Sequence, residues 1–177
     1  TLPSWRTLIG RFVQEARYYE ALECFEQMRR ECDKPPGILT LCYVLKACGN
    51  TGAIDKGKWI HENFLGKGTL LENDVMIGTA LIDMYAKCGI ITKAQEVHDN
   101  LFVQDVISWS ALIGGYAQQG QGHIALNCFF RMQIECFSPN VITFISILKA
   151  CGSVGAIKEG KTIHNQIINT CLFEEDV

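Results

Sequence analysis

The chain has 177 residues, of which 48% are apolar and 20% are charged, and its formal net charge is −3. This composition is that of an ordinary folded chain and excludes both extensive disorder and a bulk polycation. Charged residues interrupt every apolar run before the roughly 20 residues that a membrane-spanning helix needs, so no membrane partner is expected.

Nine cysteines raise the question of a disulfide-stabilised fold. Six of them, however, form three pairs at equivalent positions in the two halves of the chain: Cys24 with Cys128, Cys32 with Cys136, and Cys48 with Cys151. Because internal duplication explains their number, we expect free thiols and a reducing compartment.

In chain order the duplication divides into five units, and each unit is predicted to be a helical hairpin. Two stretches with apolar residues at helical spacing are separated by a glycine-containing break, such as Cys88-Gly89 or Gly120. Such hairpins bury their apolar faces only by stacking, so the pattern predicts an all-α solenoid. The units cover about residues 2–36, 38–74, 75–105, 106–140 and 141–176.

Three units carry distinctive strings, namely Ala80–Gly89, Val106–Gly120, and Ala150-Cys151 followed by Gly160–His164. They resemble the S, P and L motifs of the plant pentatricopeptide repeat (PPR) family, in the PLS subclass where these motifs alternate. The whole chain is similar to a P-L-S-P-L array. This resemblance implies a right-handed α-solenoid of five helix-turn-helix hairpins that binds single-stranded RNA, one base per hairpin, without enzymatic activity, cofactor or metal.

The resemblance also implies which residues contact the RNA. In the family, the fifth and last residues of a motif contact the base edge, and the second residues of successive motifs sandwich the base. These rules assign base reading to Thr79 with Asp105 and to Ser110 with Asn140. They assign the apolar sandwich to Met76, Ile107 and Ile142. Phosphate contact is expected on the basis of charge from Lys87, at the end of its predicted first helix, and from Arg6, whose unit departs from the reading pattern.

The base preferences follow from hydrogen-bond chemistry and from the family pattern. The Asp105 carboxylate accepts from the two adjacent donors of guanine, although uracil also offers it a donor. The Asn140 amide can match the donor and acceptor of adenine. Because a small hydroxyl residue at position five favours purines in the family, the expected sequence is 5′-G-A-3′.

The other units are expected to be weak readers or to read no base. The first has Arg6 at position five and ends at Pro36 or Gly37, and the L units lack a hydroxyl or amide at position five. Their corresponding residues are Cys42 with Asp74 and Ile145 with Asp176.

The distribution of charge along the chain gives a separate prediction of which surface contacts the RNA phosphates. The predicted first helices, at about 4–15, 40–51, 76–88, 108–119 and 143–152, carry a net charge of +3, which leaves −6 for the rest of the chain. A cationic first-helix surface suits a groove that follows phosphates. Chance segregation of a few surface lysines is the alternative explanation of this pattern.

Other motifs are interpreted as structural. Gly155–Thr162 matches a phosphate-binding loop letter by letter, but it reads as a helix start, and its copy ends in Trp59. His61 and His164 are repeat equivalents, and Trp109 has the spacing of a core residue. The zinc signatures C-x-x-C and H-x-E are missing from the sequence, so no deaminase is expected within these residues.

The resemblance implies that the parent protein is an RNA-editing specificity factor in a mitochondrion or chloroplast. The chain begins at Thr1 without a leader, so we expect that any targeting peptide was removed or lay upstream. The alternative function is a helical-repeat scaffold that docks editing cofactor proteins through its L motifs. The polar pairs of the third and fourth units favour RNA, because a peptide scaffold has no reason to place them there.

Overall fold

The computed structural model describes residues 4–32, 34–64 and 74–174, with side chains up to residue 169. Ten α-helices and no strand occur in these ranges, which confirms the all-α helical-repeat fold. None of these helices is long and apolar enough to cross a membrane. The helices are α1 (Trp5–Gln14), α2 (Tyr18–Glu31), α3 (Ile38–Thr51), α4 (Ile54–Phe64), α5 (Val75–Lys87), α6 (Ile91–Asp99), α7 (Val106–Gln118), α8 (Gly122–Ile134), α9 (Val141–Val154) and α10 (Ile157–Glu174).

The chain divides into two compact units, and the first, Thr1–Gln104, contains α1 to α6. In it, α3 packs against α1, α2, α4 and α5, and α5 also packs against α6. Its fully buried side chains include Phe25, Leu41, Ile82 and Met84. The core of this unit therefore lies between hairpins as well as within them, as the repeat predicts.

The second unit, Asp105–Val177, contains α7 to α10. In it, α7 packs against α8 and α9, and α9 also packs against α8 and α10. Trp109 and Phe129 are completely buried, together with Leu112 and Ile147. Trp109 is thus a core residue, as its helical spacing predicts.

Four of the five first helices begin at a side-chain cap. Ser4, Asp74, Asp105 and Asn140 each accept a hydrogen bond from a backbone N–H in the first turn of α1, α5, α7 and α9. Such caps satisfy amide groups that the helix itself leaves without a partner. The cap fixes each of these side chains at the start of its helix, and Asp74, Asp105 and Asn140 are also the last residues of their predicted units.

Gly155 ends α9, and the residues of the apparent phosphate-binding loop from Ile157 onwards are helical. Gly155 has a left-handed backbone with φ of +69°, and Ile157 already begins α10. Gly160–Thr162 therefore lies inside a helix, where the Thr162 hydroxyl donates to the Lys158 carbonyl oxygen at 3.1 Å. A helix has no loop of amide groups to wrap a phosphate, so this string is not a nucleotide-binding site.

Candidate nucleic-acid interface

The second unit brings the predicted base-reading residues Ser110 and Asn140 together. Ser110 Oγ lies 2.7 Å from Thr143 Oγ1 and 3.4 Å from Asn140 Oδ1. It also donates to the Val106 carbonyl oxygen at 2.6 Å. These contacts join α7 to the start of α9, so the two side chains have fixed relative positions.

Asn140 has a second role as the N-cap of α9. Its Oδ1 accepts from the Thr143 backbone N–H at 2.9 Å, and its own N–H donates to Thr143 Oγ1 at 3.3 Å. This reciprocal pair is a capping box. Since Oδ1 serves the cap and Nδ2 has no protein partner among the described residues, the amide presents a hydrogen-bond donor.

Asp105 has the same arrangement at the start of α7. Its Oδ1 accepts from the Ser108 backbone N–H at 2.7 Å, and the Ser108 hydroxyl donates to the Asp105 carbonyl oxygen at 2.9 Å. The second carboxylate oxygen has no partner in the described part of the chain. Asp105 therefore presents an acceptor at the position where Asn140 presents a donor.

Thr79, the predicted partner of Asp105, is the fifth residue of α5 and belongs to the first compact unit. Its Oγ1 is buried and has no hydrogen-bond partner among the described residues. A buried hydroxyl without a partner costs about 1–3 kcal/mol, so it is typical of functional positions. Ser110, at the equivalent position of α7, has its hydroxyl satisfied by protein atoms.

The predicted sandwich residues are exposed apolar side chains. Met76 is 54% exposed, Ile107 61% and Ile142 64%, each at the second position of its helix. Large apolar side chains at such exposure are available to a planar ligand.

The basic residues differ in their availability. Lys87 donates to Asp83 Oδ2 at 2.7 Å, and Arg6 is exposed with no ion-pair partner in the described ranges.

Lys46 and Lys149, which are repeat equivalents, are also exposed and without an ion-pair partner among the described residues. Each lies seven residues after an exposed apolar residue, Leu39 and Ile142 respectively, and so on the same helix face. Lys87, the lysine expected to contact phosphate, differs from these two because Asp83 lies four residues earlier and pairs with it.

The L-type positions are poorly suited to reading a base. Burial raises the pKa of the Cys42 thiol to about 11, so it stays neutral. Ile145 is exposed but carries no polar group, and Asp74 caps α5 through the N–H groups of Met76 and Ile77. Asp176 lies outside the described residues.

Burial keeps several of the described thiols in the neutral form. Burial raises the pKa of the thiols of Cys24, Cys88 and Cys151, and that of Cys48 to about 12, away from the range of a nucleophile. The cysteines with described side chains are free thiols. Among the residues that the structure describes, no cluster of His, Cys, Asp and Glu side chains could hold a metal ion.

Comparison with protein families gives two matches to this chain. Residues 94–154 match the pentatricopeptide repeat domain, and residues 3–32 match the PPR repeat, which together make just over half of the chain. The relatives are proteins of Arabidopsis thaliana. Pentatricopeptide repeat-containing protein At4g30700 is 36% identical over all 177 residues, which make 22% of its own length. The CRR2 protein, named as chloroplastic, is 36% identical over 90% of this chain and 24% of its own length.

The At2g03380 protein, named as mitochondrial, is 38% identical over 89% of this chain and 23% of its own length. The chain thus spans about a quarter of the length of these relatives. Among solved structures, it resembles maize PPR10 with a TM-score of 0.68 and 24% identity over 96% of this chain and 24% of that one. It resembles PPR10 in complex with an 18-nucleotide psaJ RNA element with a TM-score of 0.81 and 19% identity over 96% of this chain and 26% of that one. The family matches and the structural likeness agree, and the chain belongs to the pentatricopeptide repeat family.

Proposed function

We propose that the chain is the base-reading part of a protein that binds single-stranded RNA, one base per hairpin. The observation that carries this proposal is the contact of Ser110 with Thr143 and Asn140. It holds a polar pair at the start of a helix that also presents the exposed Ile142. A base needs both of these features, a polar edge contact and an apolar plate.

The polar groups left free by the caps favour different bases. A carboxylate oxygen of Asp105, which the family rule pairs with Thr79, accepts a hydrogen bond from the donors on the guanine edge. Nδ2 of Asn140 donates to an acceptor such as N1 of adenine. The proposed reading of the third and fourth hairpins is therefore 5′-G-A-3′.

Two bases give modest affinity. If each contributes roughly 1–3 kcal/mol, the sum is about 2–6 kcal/mol, whereas a Kd of 1 mM already corresponds to about 4 kcal/mol. We therefore expect weak binding, which fluorescence anisotropy or NMR titration detects at high protein concentration and low salt. Short RNAs that contain GA in register are expected to bind more tightly than matched RNAs with UC. Equal, negligible binding to both would support the scaffold alternative.

The Asn140→Asp variant tests the register of the fourth hairpin. Asp keeps the cap of α9 but replaces the free donor by an acceptor, so the preference should move from adenine towards guanine at this base. The measurement is the ratio of Kd values for RNAs that differ only at that position. Asp105→Asn in the third hairpin is the matched exchange, with the opposite expected direction. An unchanged ratio in Asn140→Asp contradicts the assignment.

Lysine variants test where the phosphates lie. Lys46→Ala and Lys149→Ala should each lower the slope of log K against log[salt] by about 0.7, because each removes one phosphate contact to a single strand. Lys87→Ala should have a smaller effect, since its ammonium group is paired with Asp83. The assignment fails if Lys87→Ala lowers the slope more than both other variants.

For the larger protein, we propose an organellar RNA-processing role as a PLS-subclass editing specificity factor. Its support is the P-L-S-P-L order of the motifs and the chloroplastic and mitochondrial names of two relatives. The second candidate, a scaffold for editing cofactor proteins, is favoured by the exposed Ile145 on the L-type helix α9. The Ile145→Asp variant separates the two candidates. It removes the apolar contact that the scaffold role needs but leaves base reading at the fourth hairpin in place, so RNA binding by this variant should continue if the chain reads bases.

A further inference from the structure

One face of α3 carries a tyrosine that the equivalent face of α9 lacks. Leu39, Tyr43 and Lys46 are separated by four and three residues, so they lie along the same face of α3. Leu39 and Lys46 are exposed, and Tyr43 is half-buried between them. In α9 the copy of Lys46 is Lys149, but the copy of Tyr43 is Ser146. The two copies therefore differ in one large polar side chain on an otherwise similar face.

The Tyr43 ring is held against α1 at a glycine. A Cβ added at Gly10 would lie 2.8 Å from Tyr43 Cε2 and 3.3 Å from its Cζ, so glycine leaves the space that this edge of the ring occupies. The Tyr43 hydroxyl makes no hydrogen bond within the described residues. In the second unit, a Cβ added at Gly114 would meet only Ser146 Oγ, at 3.4 Å. The first unit thus holds a phenol in place without using its hydroxyl group.

Two cationic side chains flank this phenol. Arg6 lies one turn before Gly10 on α1, and Lys46 lies one turn after Tyr43 on α3. Both are exposed, and neither has an ion-pair partner in the described ranges. Neither α1 nor α3 contains an Asp or Glu residue. A guanidinium, an ammonium and a phenol hydroxyl are all hydrogen-bond donors, and together they suit an anionic oxygen.

We propose that Arg6, Tyr43 and Lys46 form a subsite for one backbone phosphate of single-stranded RNA. The Tyr43 hydroxyl donates to a phosphate oxygen, and the two cations balance the negative charge. This inference rests on the proposed function and deepens it, because it gives a binding role to the first two hairpins, which lack a complete reading pair. Since a phosphate carries no sequence information, the subsite anchors the RNA whatever its bases are. It lies on the 5′ side of the proposed G-A sequence.

The Tyr43→Phe variant of the full chain tests the hydroxyl contact. Phe keeps the ring beside Gly10, so the thermal midpoint should not change. With RNAs that carry two nucleotides on the 5′ side of GA, we expect the Kd to rise about tenfold, because a hydrogen bond to a charged group is lost. The rise should be the same whichever bases these two nucleotides carry. NMR titration at low salt measures the Kd, and Ser146→Ala is the matched control, for which no change is expected.

The dependence on salt separates the hydroxyl from the cations. Tyr43→Phe should leave the slope of log K against log[salt] unchanged, because tyrosine is uncharged. Arg6→Ala should lower this slope by about 0.7, since it removes one cationic contact to a single strand. A change of slope in Tyr43→Phe, or none in Arg6→Ala, overturns the proposed division of roles.

Modified RNAs identify the group that the hydroxyl contacts. An uncharged methylphosphonate is placed at each linkage on the 5′ side of GA in turn. At one linkage it should weaken binding to the parent chain and remove the difference between the parent and Tyr43→Phe. If a 2′-deoxy nucleotide removes that difference instead, or if no methylphosphonate does, the phosphate subsite is overturned. RNA binding that Tyr43→Phe leaves unchanged overturns this inference alone, whereas a parent chain that binds no RNA overturns the proposed function as well.

Discussion

At the scale of single residues, the candidate interface is built from side chains that already serve the fold. Asp105 and Asn140 cap helices through one oxygen each, and Ser110 joins two helices through its hydroxyl. Thr79 is the exception, because its buried hydroxyl satisfies no protein group in the described ranges. The difference separates a hydroxyl that makes no hydrogen bond within the described fold from side chains that hold helices in place.

This difference predicts opposite effects on stability. Thr79→Val removes a buried unsatisfied hydroxyl at nearly constant shape, so the free energy of unfolding should stay the same or rise by about 1 kcal/mol. Ser110→Ala removes a satisfied hydroxyl and should lower it by about 1 kcal/mol. Urea denaturation followed by circular dichroism measures both. A loss in Thr79→Val as large as that in Ser110→Ala would show that Thr79 has a structural partner.

At the scale of helices, glycines mark where neighbours approach closely. Gly122 begins α8, and a Cβ there would lie 2.8 Å from the Ala150 carbonyl oxygen and 2.6 Å from Val154 Cγ1, both in α9. Gly152, inside α9, has open space around it. Gly122 is therefore needed for close packing of α8 against α9. Gly152 has no such packing role within the described part of the second unit.

Alanine at these two positions should act in opposite directions. Gly122→Ala forces atoms of α9 apart and should destabilise the protein by about 1–3 kcal/mol. Gly152→Ala gains helix propensity and should stabilise it by about 0.5–1 kcal/mol. Thermal unfolding of the two variants beside the parent chain measures both signs. Destabilisation by Gly152→Ala would mean that α9 is covered at this point.

At the scale of the whole molecule, buried thiols and one buried phenol make the free energy of unfolding depend on pH in the alkaline range. Burial raises the pKa of Cys48 and Tyr85 to about 12 and that of Cys42 to about 11. Since these folded-state pKa values lie above the unfolded ones, their contribution to stability is complete below pH 9 and is lost as pH rises towards 12.

The free energy of unfolding should therefore fall between pH 9 and 12, by up to about 1.4 kcal/mol per pH unit for each group. Urea denaturation in reducing buffer across this range measures the slope. Cys48→Ala should make the slope shallower, whereas the exposed Cys136→Ala should not. A slope that Cys48→Ala leaves unchanged would contradict the burial of this thiol.

The fold was predictable from the sequence because its signals are local. Apolar spacing and breaks such as Cys88-Gly89 and Gly120 depend on a few neighbouring residues, and the helices lie within the predicted units. Which polar atoms of the candidate site are already hydrogen-bonded was not predictable, because those bonds depend on contacts between helices. No spacing rule indicates that Thr143 shares a hydroxyl contact with Ser110, and the two-point match of Asn140 to adenine did not allow for the oxygen used in capping.

The double role of the caps also has an evolutionary consequence. Asp and Asn are both strong N-cap residues, so an exchange between them leaves α7 or α9 properly started. The same exchange turns an acceptor into a donor at the atom that we propose contacts the base. Under the proposed function, a lineage can therefore acquire a new RNA target by single substitutions that selection for folding does not oppose. Substitutions to Ala or Leu at these positions would lose the helix start and the proposed recognition together.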